Sequence, residues 1–208
     1  MNSENYIIKK KIDLVNPIPV VHEQTSFLLN DNELDFVRSI NHKLNKTNGL
    51  SNNKLVLNDN RLKRVREFIN SRVFNYIDKV VQIEDEFKLT QSWTTLSKKD
   101  EFHHHHTHPN TIFSAVYYAQ AESGELEFLF EPRIREGFNF SYKIKEYNPF
   151  NCLSWTFEVK TGDVVVFPGW VLHGTTPNES DIDRIVIGAN YFIKGTVGTE
   201  SGVDLIEI

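Results

Sequence analysis

The sequence His103-His-His-His-Thr-His-Pro-Asn110 is followed at once by the apolar run Thr111-Ile-Phe-Ser-Ala-Val-Tyr-Tyr-Ala119. The apolar run is rich in β-branched and aromatic residues and predicts a buried strand. Residues two apart in an extended segment point to the same side, so His106 and His108 can hold one metal ion if the segment before the strand is also extended. A third ligand must then come from elsewhere in the chain.

The best candidate for the third ligand is His173, near the end of Gly162-Asp-Val-Val-Val-Phe-Pro-Gly-Trp-Val-Leu-His-Gly174. In this segment a second strand-like run ends in a Pro-Gly turn just before an isolated histidine. Imidazole nitrogens suit iron, zinc, copper or nickel, and three protein ligands leave positions open for substrate, dioxygen or water. The sequence therefore predicts a metal site, with core or surface histidines as the alternative.

The other histidines receive a plainer interpretation. His103, His104 and His105 are expected to lie around the ligands or in solvent, since a histidine tract is often a loose surface segment. His22 and His42 are expected to be ordinary structural histidines.

Composition limits the classes of function. With 208 residues, 39% hydrophobic and 12% aromatic, the chain is expected to form one domain over 1–208. A net charge of -5 gives no reason to expect nucleic acid or an anionic membrane as a partner. The single cysteine, Cys152, excludes an intrachain disulfide and a cysteine-based zinc site. No apolar run resembles a signal peptide or a membrane span, so a cytoplasmic location is expected, with a homodimer left open.

Two helices are predicted within the N-terminal arm and helical segment, 1–85. The first begins at a capping box formed by Asn30 and Glu33 and is expected to end near the Asn/Gly cluster at 45–53. Its apolar face consists of Leu34, Val37, Ile40 and Leu44.

The second helix spans about 60–81. Its apolar stripe consists of Leu62, Val65, Ile69, Val73, Tyr76 and Val80. Its basic residues predict a solvated helix face, with a binding patch as the alternative. These are Arg61, Lys63, Arg64, Arg66 and Arg72.

From Phe87 onward the pattern is that of β-strands separated by turn residues. The predicted strands cover 87–96, 111–119, 125–130, 138–144, 153–159, 163–167 and 184–193. Seven strands after two helices predict an α+β protein, mainly β, whose core at 86–195 is a sandwich or barrel followed by a tail at 196–208.

Arg184 opens the apolar run Arg184-Ile-Val-Ile-Gly-Ala-Asn-Tyr-Phe192 and follows His173 by 11 residues. A cation at the start of a buried strand is costly unless its planar guanidinium meets an anion. A bound carboxylate matches that donor geometry, and so does an acidic residue of the chain itself. Both interpretations stay open on spacing alone.

These residues resemble the iron(II)- and 2-oxoglutarate-dependent dioxygenases, in particular the prolyl-4-hydroxylase-like branch that includes many bacterial and phage proteins. The resemblance covers about 86–195 and implies a double-stranded β-helix, or jelly roll, backed by the N-terminal helices. The motifs that carry it are Trp93, His106-Thr-His108-Pro, Ser114-Ala-Val-Tyr-Tyr118, Gly124-Glu-Leu-Glu-Phe128, Glu131-Pro132, Gly162 to His173, Pro177-Asn178 and Arg184 to Asn190.

The resemblance also implies the site. It assigns His106, His108 and His173 to iron(II), and Arg184 with Tyr118 to the distal carboxylate of 2-oxoglutarate. Position 108 departs from the family pattern, in which a carboxylate follows the first histidine by two residues. In the competing arrangement His108 points away, and water or a carboxylate such as Asp100 or Glu101 completes the ligand set. Trp93, Tyr117 and Trp170 are candidates to line the pocket, and a buried core position is the alternative for each.

The implied reaction consumes 2-oxoglutarate and dioxygen, releases succinate and carbon dioxide, and hydroxylates a peptidyl, prolyl or small-molecule substrate, with ascorbate as an additional reductant. Two other classes compete with this hypothesis. A cupin-type metal enzyme that uses no 2-oxoglutarate would fit the segment 162–173, but 111–119 lacks the glutamate of the first cupin motif. A non-catalytic jelly-roll binding module is the third hypothesis.

Overall fold

The computed structural model describes residues 14, 17–129, 143–148, 151–198 and 203–208. Most of these residues lie in β-strands. The strands are β1 (Val21–Glu23), β2 (His42–Asn45), β3 (Asn48–Ser51), β4 (Glu86–Ser97), β5 (Phe113–Gln120), β6 (Glu125–Leu129), β7 (Ser154–Glu158), β8 (Val164–Pro168), β9 (His173–Thr175), β10 (Arg184–Lys194), β11 (Thr196–Val197) and β12 (Ile206–Glu207).

The strands form a larger and a smaller antiparallel sheet. The larger sheet has seven strands in the order β1-β8-β5-β10-β4-β3-β2, and the smaller has three in the order β7-β6-β9. Strands β11 and β12 pair separately. The predicted strands at 87–96, 111–119, 125–130, 153–159, 163–167 and 184–193 are confirmed, whereas the one at 138–144 lies largely outside the described residues.

Two helices cover one face of the larger sheet. They are α1 (Asp31–Ser39) and α2 (Lys63–Tyr76), with short 3-10 turns at Val56–Asn58 and Asn60–Leu62 before α2 and a π-helical turn at Ile77–Val81 after it. In the part of the chain that the structure describes, no helix is long and apolar enough to cross a membrane.

The period-2 alternation of the strands divides the apolar side chains between two cores. Residues Phe113, Ala115 and Tyr117 of β5 pack in the core that also contains the α2 stripe of Val65, Ile69 and Val73. Their neighbours Val116 and Tyr118 face the opposite way and pack with Leu126 and Phe128 of the smaller sheet. The second core therefore lies between the two sheets, as the predicted jelly roll requires.

The capping box predicted for the first helix is present. The Asn30 side chain accepts a hydrogen bond from the backbone N–H of Glu33 at 3.0 Å, and the Glu33 carboxylate accepts one from the Asn30 N–H at 2.9 Å. The predicted end of this helix is wrong, because the helix stops at Ser39 and Leu44 lies 80% exposed in β2. The turn between β2 and β3 has Lys46 in the left-handed region at φ 55°, which makes the segment a hairpin rather than a helix end.

The stripe predicted for the second helix is confirmed from Leu62 to Tyr76, but Val80 is 44% exposed. The π-helical turn adds a residue per turn, so Val81 rather than Val80 packs against the core. The basic residues of this helix do not form a free patch. Arg64 pairs with Glu33 and lies 4.3 Å from the Phe27 ring centroid, so it ties the N-terminal segment to the helix.

We expect Asn30→Ala to lower the free energy of unfolding by about 1 kcal/mol, because the Glu33 N–H loses its only capping acceptor. Urea denaturation measures the change. Asn32→Ala is the matched control, since Asn32 is an exposed residue of the same helix and its replacement should change stability by less than about 0.5 kcal/mol. Equal stabilities of the two variants would contradict this account of the helix start.

Candidate metal centre

Three histidines converge between the two sheets. The ring nitrogens that His106, His108 and His173 offer lie within 4.8 Å of one another, and the Nε2 atoms of His106 and His108 are 3.1 Å apart. Among the described residues, this is the one group of three or more His, Cys, Asp or Glu side chains with that arrangement. The structure thus brings together the three residues that the sequence predicted as ligands.

Backbone hydrogen bonds hold the histidine segment in place. His106 and His173 form an antiparallel bridge in which each N–H donates to the other's carbonyl, at 2.9 and 3.0 Å. The His108 N–H donates to the Gly169 carbonyl at 2.8 Å. The close approach requires glycine at position 174, since a Cβ there would lie 2.9 Å from the His103 carbonyl oxygen.

The hydrogen bonds of the Nδ1 atoms orient two of the rings. His106 Nδ1 lies 2.8 Å from the His104 carbonyl, and His173 Nδ1 lies 2.8 Å from the Val171 carbonyl. A carbonyl can only accept, so both Nδ1 atoms carry the hydrogen. Each Nε2 then has a free lone pair, as a metal ligand needs.

In His108 a relay of side-chain hydrogen bonds places the hydrogen on Nδ1 in the same way. Its Nδ1 lies 2.6 Å from Ser114 Oγ, and the Ser114 hydroxyl donates to Asn190 Oδ1 at 2.9 Å. Because the serine hydrogen is used on Asn190, its oxygen accepts from the His108 Nδ1–H. The relay fixes the tautomer that leaves His108 Nε2 free.

The surroundings keep the three imidazoles neutral. Burial, followed by the neighbouring histidines, lowers the pKa of His108 to about 4 and holds the pKa of His173 well below its ordinary value. Burial also lowers the pKa of His106. No carboxylate of the described residues joins the cluster, and Glu101 instead accepts from the Lys98 N–H at 2.9 Å. The centre is therefore a set of three uncharged nitrogen donors.

Arg184 is a buried cation that lines the same cavity and is 1% exposed. Its Nη2 donates to Thr175 Oγ1 at 2.9 Å and to the Thr176 carbonyl at 2.7 Å, whereas its Nη1 has no hydrogen-bond partner. No acidic residue of the described chain forms a salt bridge with it, and burial lowers its pKa. Glycine at position 124 leaves room for the guanidinium, because a Cβ there would collide with Nη1.

Aromatic side chains complete the cavity. The Trp93 ring lies 5.2 Å from the His108 ring in an edge-on arrangement, and Gly188 makes room for it, since a Cβ there would come within 2.5 Å of the indole. Tyr118 lines the cavity, and burial raises its pKa, so its hydroxyl is neutral. The cavity thus combines neutral metal-ligand donors, one unpaired cation and apolar walls.

Some predicted positions lie elsewhere. Of the pocket candidates, Tyr117 takes the alternative core position, faces the helices and donates to the Phe27 carbonyl. Trp170 is 57% exposed and takes neither position. His22 and His42 are structural, bonded to Asp163 at 3.0 Å and to Thr94 at 2.9 Å. His105 lies on the outside, 2.9 Å from Glu127.

Sequence reasoning assigned no role to several residues of the site. Ser114 and Asn190 lie in stretches that carried the family resemblance, but they are 76 residues apart and only the fold pairs them. Thr175 follows His173 by two residues, so on a strand both point to the same face, and this spacing could have indicated that Thr175 belongs to the site. His103 was expected around the ligands or in solvent; it lies against His106 and lines the cavity.

The model of one protein family matches this chain. It describes putative 2OG-Fe(II) oxygenases and matches residues 91–190, which run from β4 to β10. No curated protein matches the chain in sequence.

Solved structures share the fold at low sequence identity. HygX from Streptomyces hygroscopicus, with nickel and 2-oxoglutarate bound, is 14% identical with a TM-score of 0.55 over 84% of this chain and 82% of its own. A prolyl-4-hydroxylase from Pseudomonas putida is 14% identical with a TM-score of 0.56 over 86% and 94%. The non-heme alpha-ketoglutarate-dependent epimerase SnoN from nogalamycin biosynthesis is 12% identical with a TM-score of 0.59 over 91% and 89%. The fold of this chain is thus the double-stranded β-helix of these proteins.

We expect the protein to bind Ni²⁺ and His108→Ala to weaken that binding. The loss should be at least about 10- to 100-fold, because removing only a residue that hydrogen-bonds to a metal ligand already lowers metal affinity by that much. Isothermal titration calorimetry with NiCl₂ measures the affinity. His42→Ala is the control, because His42 is bonded to Thr94 away from the cluster. Binding of Ni²⁺ by His108→Ala as tight as that of the unmodified protein would exclude His108 as a ligand.

Proposed function

We propose that this chain, whose residues 91–190 match the model of the 2OG-Fe(II) oxygenases, is an oxygenase that hydroxylates an organic substrate at the histidine centre. The reaction takes up 2-oxoglutarate and dioxygen; one oxygen atom enters succinate, carbon dioxide is released, and the other oxygen atom enters the product. One observation carries the proposal. Three neutral imidazoles and an unpaired buried arginine line a single cavity.

The donor set fits the metal. His106, His108 and His173 would hold iron(II) through their Nε2 atoms, since each Nδ1 is occupied. When bound, iron(II) supplies the redox chemistry that couples decarboxylation of the cosubstrate to oxidation of a substrate C–H bond. The protein fixes the ligand geometry through the His106–His173 bridge and keeps the cavity apolar around it.

Arg184 would bind the distal carboxylate of 2-oxoglutarate. A guanidinium offers a planar pair of donors, and here Nη1 is buried without an acceptor. A carboxylate would satisfy that donor and neutralise a cation that has no acidic partner in the described chain. Tyr118 is the second proposed contact, because it lines the same cavity as Arg184 and its hydroxyl is neutral.

The neutral third ligand changes the charge of the centre. With histidine at 108, a divalent ion and three imidazoles carry a charge of about +2, one unit more than with a carboxylate at that position. The described residues that line the cavity include no Asp or Glu. The site should therefore attract the dianionic cosubstrate more strongly and hold the metal alone less firmly.

The substrate belongs to the proposal only as a class, peptidyl (including prolyl) or small molecule. The P. putida prolyl-4-hydroxylase supports the first kind, and a HygX structure with hygromycin B bound supports the second. A cupin-type reaction without 2-oxoglutarate would also use three histidines, but it gives no role to the unpaired Arg184. A non-catalytic module would give no role to Arg184 or to the histidines.

The first test is formation of succinate from 2-oxoglutarate by the purified protein with Fe(II), ascorbate and air, in the presence of a peptide library or a cell extract. We expect succinate to form and one component of the mixture to gain an oxygen atom, as detected by mass spectrometry. His173→Ala should form none. Absence of succinate with the unmodified protein would favour the cupin-type or the non-catalytic alternative.

The second test concerns Arg184. We expect Arg184→Ala to raise the concentration of 2-oxoglutarate needed for half-maximal succinate formation, with a loss of about 2 to 5 kcal/mol, as for a truncated buried charge pair. Arg61→Ala is the control, since Arg61 pairs with Asp59 at the surface. An unchanged requirement for 2-oxoglutarate in Arg184→Ala would disprove the proposed clamp.

A further inference from the structure

His103 contacts both halves of the proposed site. Its ring stacks on that of His106, with ring centroids 4.3 Å apart and an angle of 16° between the planes. Its main chain pairs with Thr175 through two hydrogen bonds: the His103 N–H donates to Thr175 Oγ1 at 2.9 Å, and the Thr175 N–H donates to the His103 carbonyl at 3.0 Å. Thr175 Oγ1 is also the acceptor of Arg184 Nη2. His103 is therefore connected to the histidine cluster on one side and to the arginine on the other.

The His103 ring has unused hydrogen-bonding capacity. It lines the cavity, and its nitrogens form no hydrogen bond with the described residues. These nitrogens are also not fully enclosed by protein. A neutral imidazole carries one N–H donor and one acceptor nitrogen. A molecule that enters the cavity thus meets a free donor beside His106.

We propose that His103 is a cosubstrate-binding residue whose ring N–H donates to the 2-oxoglutarate molecule that spans the histidine centre and Arg184. The inference rests on the proposed function, because it assigns His103 a contact with the molecule that the function requires. Stacking on His106 holds the imidazole plane, and the two bonds to Thr175 hold the backbone, so the donor is positioned before the ligand arrives. A preorganised donor loses little conformational freedom on binding.

Thr175 supports the same arrangement. Its hydroxyl oxygen already accepts from His103 N–H and from Arg184 Nη2, so its own hydrogen is left to be donated. Gly174 allows the tract to approach β9 closely, since a Cβ there would meet both the His103 carbonyl and the His105 ring. The local sequence around 174 thus keeps His103 against the strand that also carries His173.

The experiment measures equilibrium binding of 2-oxoglutarate to the Ni²⁺-loaded protein by calorimetry, without turnover. His103→Phe keeps an aromatic ring for stacking and removes both nitrogens. We expect its Kd for 2-oxoglutarate to rise about three- to tenfold, the effect of one neutral hydrogen bond, while its Kd for Ni²⁺ changes less than about twofold. His103→Gln retains an N–H donor and should recover part of the lost affinity.

His105→Phe is the matched control, because His105 belongs to the same tract but its ring is bonded to Glu127 outside the cavity. His103→Leu, which also lacks ring nitrogens, replaces His103→Phe if that variant does not fold. Unchanged 2-oxoglutarate affinity in the Phe or Leu variant, or equal weakening in the Phe and Gln variants, overturns the inference alone. An unmodified protein that binds Ni²⁺ but no 2-oxoglutarate contradicts the proposed function as well.

Discussion

The alternation of side chains along β10 between the two faces of the sheet is the constraint on which the rest of the structure depends. This strand lies between β4 and β5 in the larger sheet, and its successive side chains point to opposite faces. Ile185, Ile187 and Ala189 bury themselves against the helical layer, while Arg184 and Gly188 face the cavity. A shift of one residue would place the guanidinium in the helical core and an isoleucine in the site. Burial of the apolar face therefore fixes the position of Arg184.

The hydrogen bonds of Arg184 compensate only part of the cost of burying its charge. Two of its hydrogen bonds go to Thr175 and Thr176, which are uncharged, and Nη1 has no partner. A cation held in such a place without a counterion is destabilising by several kcal/mol. The apolar contacts of both cores offset that cost, and an anion in the cavity would remove it. A ligand that binds only the folded state also stabilises that state, so the strain of the free site becomes part of its affinity for an anion.

The sequence predicted the parts of this protein that depend on local pattern. The capping box at Asn30, the apolar stripe of the second helix and the strands around the site follow from periods of 3.6 and 2 and from turn residues. The convergence of His106, His108 and His173 could be predicted because each histidine lies at the edge of an apolar strand run. Their role as ligands stays a prediction.

Other features depend on partners far apart in the chain. Strand β2 was predicted as the end of a helix because Leu44 continues the apolar period, whereas pairing with β3 and the turn at Lys46 decide its structure. For Tyr117 a pocket position and a core position both stayed open, because neighbouring aromatic residues on a strand cannot be told apart until the register is known. The register places Tyr118 in the cavity and Tyr117 in the helical core.

The relay from His108 through Ser114 to Asn190 orients the His108 ring without a carboxylate. In many metal sites an acidic residue behind the histidine orients the ring and adds negative charge. Here an uncharged hydroxyl and an uncharged amide orient His108, so the tautomer is fixed and no negative charge is added. The proposed site then carries the positive charge of the metal and of Arg184 undiminished by any described residue that lines the cavity. Under this proposal, metal and dianionic cosubstrate each strengthen the binding of the other, because their binding free energies are reciprocally coupled.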